Sequence, residues 1–454
     1  MKKQTITEIQ IDDIKFPNIG LGNVGEKRVQ VKGALPGQLL KIRAKNGKAP
    51  KGEILEVLQP SPHQIPPKCP VFGLCNGCAF QHIPYNYEAE LKTNMVRRIL
   101  APLQLNAEFL PTIPAANIDG YRNKMEFSFG DDGPDGNLTL GMRKKGSFYE
   151  AVDVPDCLLV HPDFGRILAF TRNYFATSGE TFHHRRKRTG TLRHLVIRRG
   201  ILTDEILVNL VTTSGQNYND YASKLLQIPL DGRLVGILNT INNSPADAVT
   251  PEEVRILHGV DYYHEQFTQG LRFNVSAFSF FQTNSIMAEQ LYATIANFAG
   301  NLTNKTLLDL YCGTGTIGIY LAAHAKQVLG IELIPEAVAA AQKNAALNSV
   351  TNCHFIAGDV RKIVQTLDVS PDTIILDPPR EGINPKAMPH ILAFNAQKIV
   401  YVSCKPTSLA TDLPAFIAAG YRPTKIRCID MFPRTANIET VVLLEKSFDT
   451  SPPM

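Results

Sequence analysis

Between residues 5 and 59, apolar and polar positions alternate in the runs TITEIQI, RVQVKGAL, QLLKIRAK and GEILEVLQ, separated by Gly, Pro and Lys. A period of two between turn residues predicts half-buried strands, and several in so short a span predict a small antiparallel barrel or sandwich. The Pro-rich SPHQIPPKCP closes this unit. From Asn86 to Leu103 the spacing changes, with Leu91, Met95, Ile99 and Leu100 recurring at helical intervals. That pattern predicts a helix with one apolar face.

Between 121 and 285, strand-like NLTLGMR, LRHLVIRRG and EILVNLVTT mix with shorter helical stretches, and no single motif is diagnostic. From 286 onward, LLDLYCGTGTIGIYLAAHA, QVLGIEL, DTIILDPPR and KIVYVSC place apolar strands between helical segments. Strand-helix alternation predicts a parallel, doubly wound sheet. The expected fold class is therefore α/β, with a Rossmann-like C-terminal core, an N-terminal β-barrel and a mixed α+β centre. The expected boundaries are 1–62, 63–285 and 286–454.

At 454 residues the chain exceeds what one hydrophobic core supports, which agrees with several domains. Its N-terminus, MKKQTITEIQIDD, lacks the apolar stretch of a targeting signal, and no run reaches the length of a membrane span. A cytoplasmic protein is expected, with no membrane association and no obligate protein partner. The net charge of +5 permits a polyanionic partner, so the clustering of charge carries more information than its sum. In HHRRKRTGTLRHLVIRRG, Arg185, Arg186, Lys187, Arg188, Arg193, Arg198 and Arg199 fall close together. They predict one basic region able to contact phosphates.

The richest chemistry lies in LLDLYCGTGTIGIYLA. A strand runs into Gly313 and Gly315 and then into a helix, and glycines allow a tight turn and close approach to a ligand. Glu332 ends the next strand, where a carboxylate meets ribose hydroxyls. By itself this is also an NAD fingerprint. Asp309 in the strand end and a further carboxylate, Asp359 of AGDV, suit a ligand carrying an ammonium and a sulfonium. The order D-x-x-C-G-x-G, then Glu, Asp and DPP, is similar to class I methyltransferases that use S-adenosylmethionine.

The strand ending at Cys404 follows the one ending at Asp377, so both side chains are expected at the carboxyl edge of the sheet, where such folds bind ligands. The helix after Cys404 is expected to favour a thiolate. A thiolate suits methylation at carbon 5 of a pyrimidine, because attack on C6 makes C5 nucleophilic. A general base must then remove the C5 proton.

Three cysteines follow Cys69-x5-Cys75-x2-Cys78, with Cys157 further on. Four thiolates accept zinc or an iron-sulfur cluster, and spacing alone does not choose.

Taken in order, DPPREGI, YVSCKPTSLATDL and IDMFPRTANIETVVLLE resemble the RNA (uracil-5-)-methyltransferase family, and the resemblance extends over nearly the whole chain. It implies Cys404 as nucleophile, Glu439 as base and Asp377 in the pocket shared by uracil and cofactor. Gln282 of FFQTN, Tyr311, Thr316, Glu332 and Asp359 fall at cofactor positions. The family often carries a [4Fe-4S] cluster, which implies Cys69, Cys75, Cys78 and Cys157 as its ligands. The N-terminal section resembles a TRAM domain, an OB-like RNA-binding module. Arg122 and Lys124 of YRNK join Arg185, Arg186 and Arg188 as candidate RNA contacts.

The implied activity is S-adenosylmethionine-dependent formation of 5-methyluridine in RNA. The implied substrate is 23S rRNA, with tRNA as the alternative because well-known bacterial tRNA enzymes lack the TRAM-like module. An RNA-binding protein without catalysis is a further alternative, against which Cys404, Glu439 and the glycine turn all speak. Two positions depart from the family pattern. Lys405 stands where Asn usually follows the nucleophile, and Asn437 where His usually precedes the base.

Overall fold

The computed structural model describes residues 4–446 apart from 46, 48, 134, 135 and 246–250. Strands β1 (Gln4–Lys15), β2 (Ile19–Val24), β3 (Lys27–Lys32), β4 (Leu39–Lys45) and β5 (Lys51–Gln59) close into a barrel of order β1-β2-β3-β5-β4. Inward positions Ile9, Ile11, Val29, Val31, Leu40 and Ile42 form its core. The sequence pattern predicted an antiparallel barrel. One contact, β3 with β5, is instead parallel, because closure brings together strands that no hairpin joins. The glycine-rich β2 escaped the pattern. Gly22 is needed there, since a Cβ would meet the Gln10 carbonyl at 2.2 Å.

Helix α1 (Tyr85–Leu100) and the short β6 (Glu108–Phe109) follow. A seven-stranded central sheet contains β7 (Lys124–Asp131), β8 (Leu138–Arg143), β9 (Ala151–Val152), β10 (Leu192–Arg199), β11 (Glu205–Thr212), β12 (Arg233–Ile241) and β13 (Glu253–Gly259). Helices α2 (Pro162–Ala176) and α3 (Asn219–Leu225) cover one face. Every residue of β10 and β11 is buried. Both strands are covered on both faces, so the polar side chains they carry, among them Arg193, Arg198 and Asn209, are buried with the apolar ones.

A hairpin of β14 (Tyr262–Gln266) and β15 (Arg272–Ser276) leads into α4 (Ser285–Ala299). The remaining elements alternate: β16 (Thr306–Leu310), α5 (Thr316–Ala322), β17 (Gln327–Glu332), α6 (Pro335–Leu347), β18 (Cys353–Ala357), α7 (Val360–Thr366), β19 (Thr373–Leu376), α8 (Met388–Ala393), β20 (Lys398–Ser403), α9 (Pro406–Ala418), β21 (Tyr421–Ile429) and β22 (Glu439–Lys446). The sheet order is β18-β17-β16-β19-β20-β22-β21-β6. Strands β16 to β20 are mutually parallel, and β22 runs antiparallel to both neighbours. The order reverses between β16 and β19, which opens a crevice at their carboxyl ends.

The segment 85–109 does not pack with the central sheet. Val96 and Leu100 of α1 join the core beneath β19 and β20, and β6 extends the C-terminal sheet by pairing with β21. Among the described residues, no helix is long and apolar enough to cross a membrane.

Candidate active site

The crevice is built by the ends of β16, β17, β19, β20 and β22. After β16 the chain turns through Tyr311, at φ 66°, and through Gly313 and Gly315, at φ 54° and 75°. Gly315 has a second constraint, since a Cβ would meet the Phe355 ring at 2.7 Å and Ala341 at 2.9 Å. Glu332, at the end of β17, accepts from the Gly313 N–H at 3.1 Å and the Ile334 N–H at 3.0 Å. Thr316 opens α5 and shares a 2.9 Å hydrogen bond with the Tyr292 hydroxyl. Thr314 donates to the Phe280 carbonyl at 3.3 Å, which holds the FFQTN loop, and with it Gln282, against the glycine turn.

Asp309 is fully buried in β16, and neither of its oxygens has a hydrogen-bond partner among the described residues. Burial, then the charge of Asp377, pushes its carboxyl up to about 8. Asp377 follows β19, and burial raises it to about 7. Glu439 opens β22, 3 % exposed, with Oε2 unpartnered. Burial and then Asp377 push it to about 8, while Arg380 pulls it down. Orphaned carboxylates in one crevice are costly unless a cation meets them. An ammonium and a sulfonium are such cations, so these residues fit S-adenosylmethionine.

Asp359 follows β18, at the edge of the sheet where its spacing placed it. It caps α7 by accepting from the Arg361 N–H and pairs with the Arg361 guanidinium. Tyr311 lies close enough to feel both charges.

Cys404 leaves the end of β20 facing the same crevice. Ser403 pairs with Thr440 in the β20–β22 ladder, which sets Cys404 beside Glu439. Its thiol is pushed up to about 11, first by burial and then by Glu439 and Asp377, against a downward pull from Arg380. The helix was expected to favour a thiolate. Burial and the two carboxylates act in the opposite direction.

Arg380 was missed as a site residue, and its presence in the DPPR motif was the one sign of it. It donates to the Asn437 side-chain carbonyl at 2.9 Å, so the residue that replaces the family's His anchors the cation facing the thiol. Lys405 makes backbone bonds with the Ser403 hydroxyl in both directions. These bonds do not depend on its side chain.

Arg122 and Lys124 line a cavity of about 240 Å³ with Glu126, Arg198, Phe280 and Phe281. Burial, with Arg198 adding to it, lowers the Lys124 ammonium to about 8. The basic run does not form the single region expected from sequence. Arg193, Arg198 and Arg199 are buried in β10. Arg193 donates to the Asn242 and Ser244 carbonyls, Arg198 to those of Ala277 and Ser279, and Arg199 pairs with Asp204. Arg186, Lys187 and Arg188 are exposed and Arg185 half-buried at a turn before the strand.

The four cysteines Cys69, Cys75, Cys78 and Cys157 are half-buried, and each thiol lies within electrostatic reach of the other three. Burial raises Cys78 to about 12 and Cys157 to about 11. Gln81 donates to Cys78 Sγ at 3.3 Å and the Gly77 N–H to Cys75 Sγ at 3.2 Å. Among the described residues, these cysteines do not form a group whose ligand atoms all lie close enough together to hold a metal ion.

A family model described as tRNA (uracil-5-)-methyltransferase matches residues 252–447. A protein of Caldanaerobacter subterraneus named as an uncharacterized RNA methyltransferase is 43% identical over 452 residues, covering 98% of this chain and 100% of that protein. A Clostridium tetani protein of the same name is 44% identical over 451 residues, with 98% and 99% covered. The crystal structure of Pyrococcus abyssi tRNA (uracil-54, C5)-methyltransferase with S-adenosyl-L-homocysteine superposes with a TM-score of 0.76 at 26% identity. It covers 96% of this chain and 100% of that one.

Proposed function

The chain belongs to the RNA uracil-5-methyltransferase family, S-adenosylmethionine-dependent enzymes, and from that premise we propose that it methylates uracil C5 through a covalent Cys404 adduct. The observation that carries this reading is the placement of Cys404 beside Glu439 at the mouth of the crevice.

Cys404 gives its thiol proton to solvent, and the thiolate attacks C6 of the uracil, which leaves C5 as an enolate-like carbon. The bound cofactor supplies the methyl group, and its sulfonium departs as a neutral thioether. Asp309 and Asp377 hold the cationic end of the cofactor, while Gly313, Gly315 and Gln282 leave room for and flank its body. Glu332, Tyr311, Thr316 and Asp359 would meet the rest of the cofactor. Glu439 then takes the C5 proton, the C5–C6 double bond re-forms and the Cys404–C6 bond breaks. Arg380 stabilises negative charge on Cys404 and Glu439 in turn.

Cys69, Cys75, Cys78 and Cys157 would hold a [4Fe-4S] cluster, a reading supported by the electrostatic reach of each thiol to the others. A cluster there would cross-link the loops it joins. The barrel is read as a TRAM-like RNA-binding unit in a cytoplasmic enzyme. Arg122 and Lys124 would meet the RNA at the cavity beside the FFQTN loop. The exposed turn at 185–188 and the 71 % exposed Phe148 give phosphate and stacking contacts further out. The target uridine must be flipped, since its C5 and C6 are shielded in a stack.

The sequence resemblance favours 23S rRNA. A second reading, tRNA, is supported by the Pyrococcus abyssi enzyme, whose match spans 96% of this chain. A tRNA enzyme of this length weakens the argument that the N-terminal barrel marks an rRNA enzyme. Labelled cofactor with separate rRNA and tRNA transcripts, followed by nucleoside analysis, tests both. Methyl on N3 or on a ribose oxygen overturns the covalent mechanism.

A further inference from the structure

The loop 430–438 that delivers Glu439 to the crevice is held almost entirely by residues outside the C-terminal sheet. Asp430 is fully buried and accepts from Lys92 Nζ at 3.0 Å and from the Tyr85 hydroxyl at 3.0 Å. Lys92, also fully buried, pairs with Glu88 at 2.8 Å and donates to the Phe432 carbonyl at 3.1 Å. The Met431 and Pro433 carbonyls accept from Asn284 and from the Tyr121 hydroxyl.

The centre of this arrangement is Arg434, 8 % exposed and at φ 67°. A non-glycine residue rarely adopts that conformation, and it persists where the surroundings over-determine it. Three separate groups of Arg434 are engaged. Its N–H donates to Glu88 at 2.6 Å, and its guanidinium meets the Ile83 carbonyl at 3.1 Å and Glu88 at 3.4 Å. Its carbonyl accepts from the N–H groups of Ala79 and Phe80 at 2.7 and 3.1 Å. Ala79 is the residue after Cys78.

We propose that Arg434 is a positioning residue that ties the cysteine-bearing segment to the loop carrying Glu439, so that the hold on Cys78 sets the placement of the base. The inference rests on the roles given above to Glu439 and to the four thiols. It adds a physical path between them: Cys78, the Ala79 and Phe80 amides, the Arg434 carbonyl, and the four loop residues 435–438. Two cations and two carboxylates, Lys92 and Arg434 with Glu88 and Asp430, balance one another in the interior. Such an arrangement has one low-energy geometry and resists partial disruption.

Hydrogen exchange on the full chain, purified anaerobically and without RNA or cofactor, tests this. In Arg434→Gly, which tolerates the positive φ but lacks the guanidinium, amides 431–437 should exchange about tenfold faster while β16 stays protected. Cys78→Ser should loosen the same amides together with Ala79 and Phe80. With RNA, Arg434→Gly should accumulate covalent adduct while its affinity for S-adenosylhomocysteine is unchanged. Should Arg434→Gly unprotect β16 as well, the milder Glu88→Gln is measured in its place, with the same expectation. Unchanged protection at 431–437 in Cys78→Ser, or in the arginine-site variant, overturns the proposal. Because exchange needs no substrate, that failure is distinct from a failure of the methylation reading, which the nucleoside analysis alone would reveal.

Discussion

Cys404 and Glu439 sit side by side because Ser403 and Thr440 close the antiparallel β20–β22 ladder one residue before them. An antiparallel register leaves little freedom at a strand end. The carboxylate therefore faces whatever bonds to the thiol, without a loop having to find it.

Glu439→Gln should stop the reaction after methyl transfer. The glutamine keeps the size of the side chain but takes no proton, and loss of a general base costs about 10²–10⁴-fold. A protein-RNA band resistant to denaturant should appear on a gel and persist, and Cys404→Ala should give none. Rapid turnover by Glu439→Gln would remove it as the base.

Cofactor affinity should rise with pH between 6 and 8. Asp309, Asp377 and Glu439 sit at about 8, 7 and 8, so at pH 6 they are largely protonated and neutral. A bound cation favours their ionised forms, and binding releases protons. Calorimetry in buffers of different ionisation enthalpy should show that release for S-adenosylmethionine and less of it for S-adenosylhomocysteine, which lacks the sulfonium charge.

The same carboxyls destabilise the ligand-free fold as they ionise. Their folded values lie above their unfolded ones, so stability is fully present below about pH 4 and is lost as pH rises toward 8. Asp309→Asn should therefore raise the melting temperature of the free protein at pH 8, while weakening S-adenosylmethionine by tenfold or more. A variant both less stable and equally tight in binding would contradict the role given to Asp309.

Arg380→Ala should move the pH–rate profile to higher pH. Arg380 lowers both Cys404 and Glu439, and both must lose a proton to act. The acid limb of kcat/KM should move upward, and a limb displaced by about one pH unit lowers the rate at neutral pH about tenfold. Arg380→Lys should recover part of it, and an unmoved profile would leave Arg380 with a binding role only.

Protein purified anaerobically should contain about four irons and as much sulfide per chain, and Cys157→Ser should lose most of both. Stoichiometric zinc in their place would refute the cluster.

The placement of the glycine turn, Asp377 and Cys404 was legible in the chain. Gly313 and Gly315 fall in the tight turn after β16, where few other residues fit. Strand order put Asp377 and Cys404 at one edge of the sheet, as the structure does. The basic run misled, because Arg193, Arg198 and Arg199 were drawn into a covered sheet, the first two to bind loop carbonyls and Arg199 to pair with Asp204.

The periodicity of apolar positions by itself determined the barrel, the doubly wound sheet and the edge at which reacting groups emerge, since burial of one face fixes each element's register. Tertiary structure alone brought burial, Glu439 and Asp377 against Cys404, and these raise its thiol. It decided equally that α1 and the segment after Cys78 brace the loop before Glu439. Such contacts join residues hundreds of positions apart, and a pattern of near neighbours holds no trace of them.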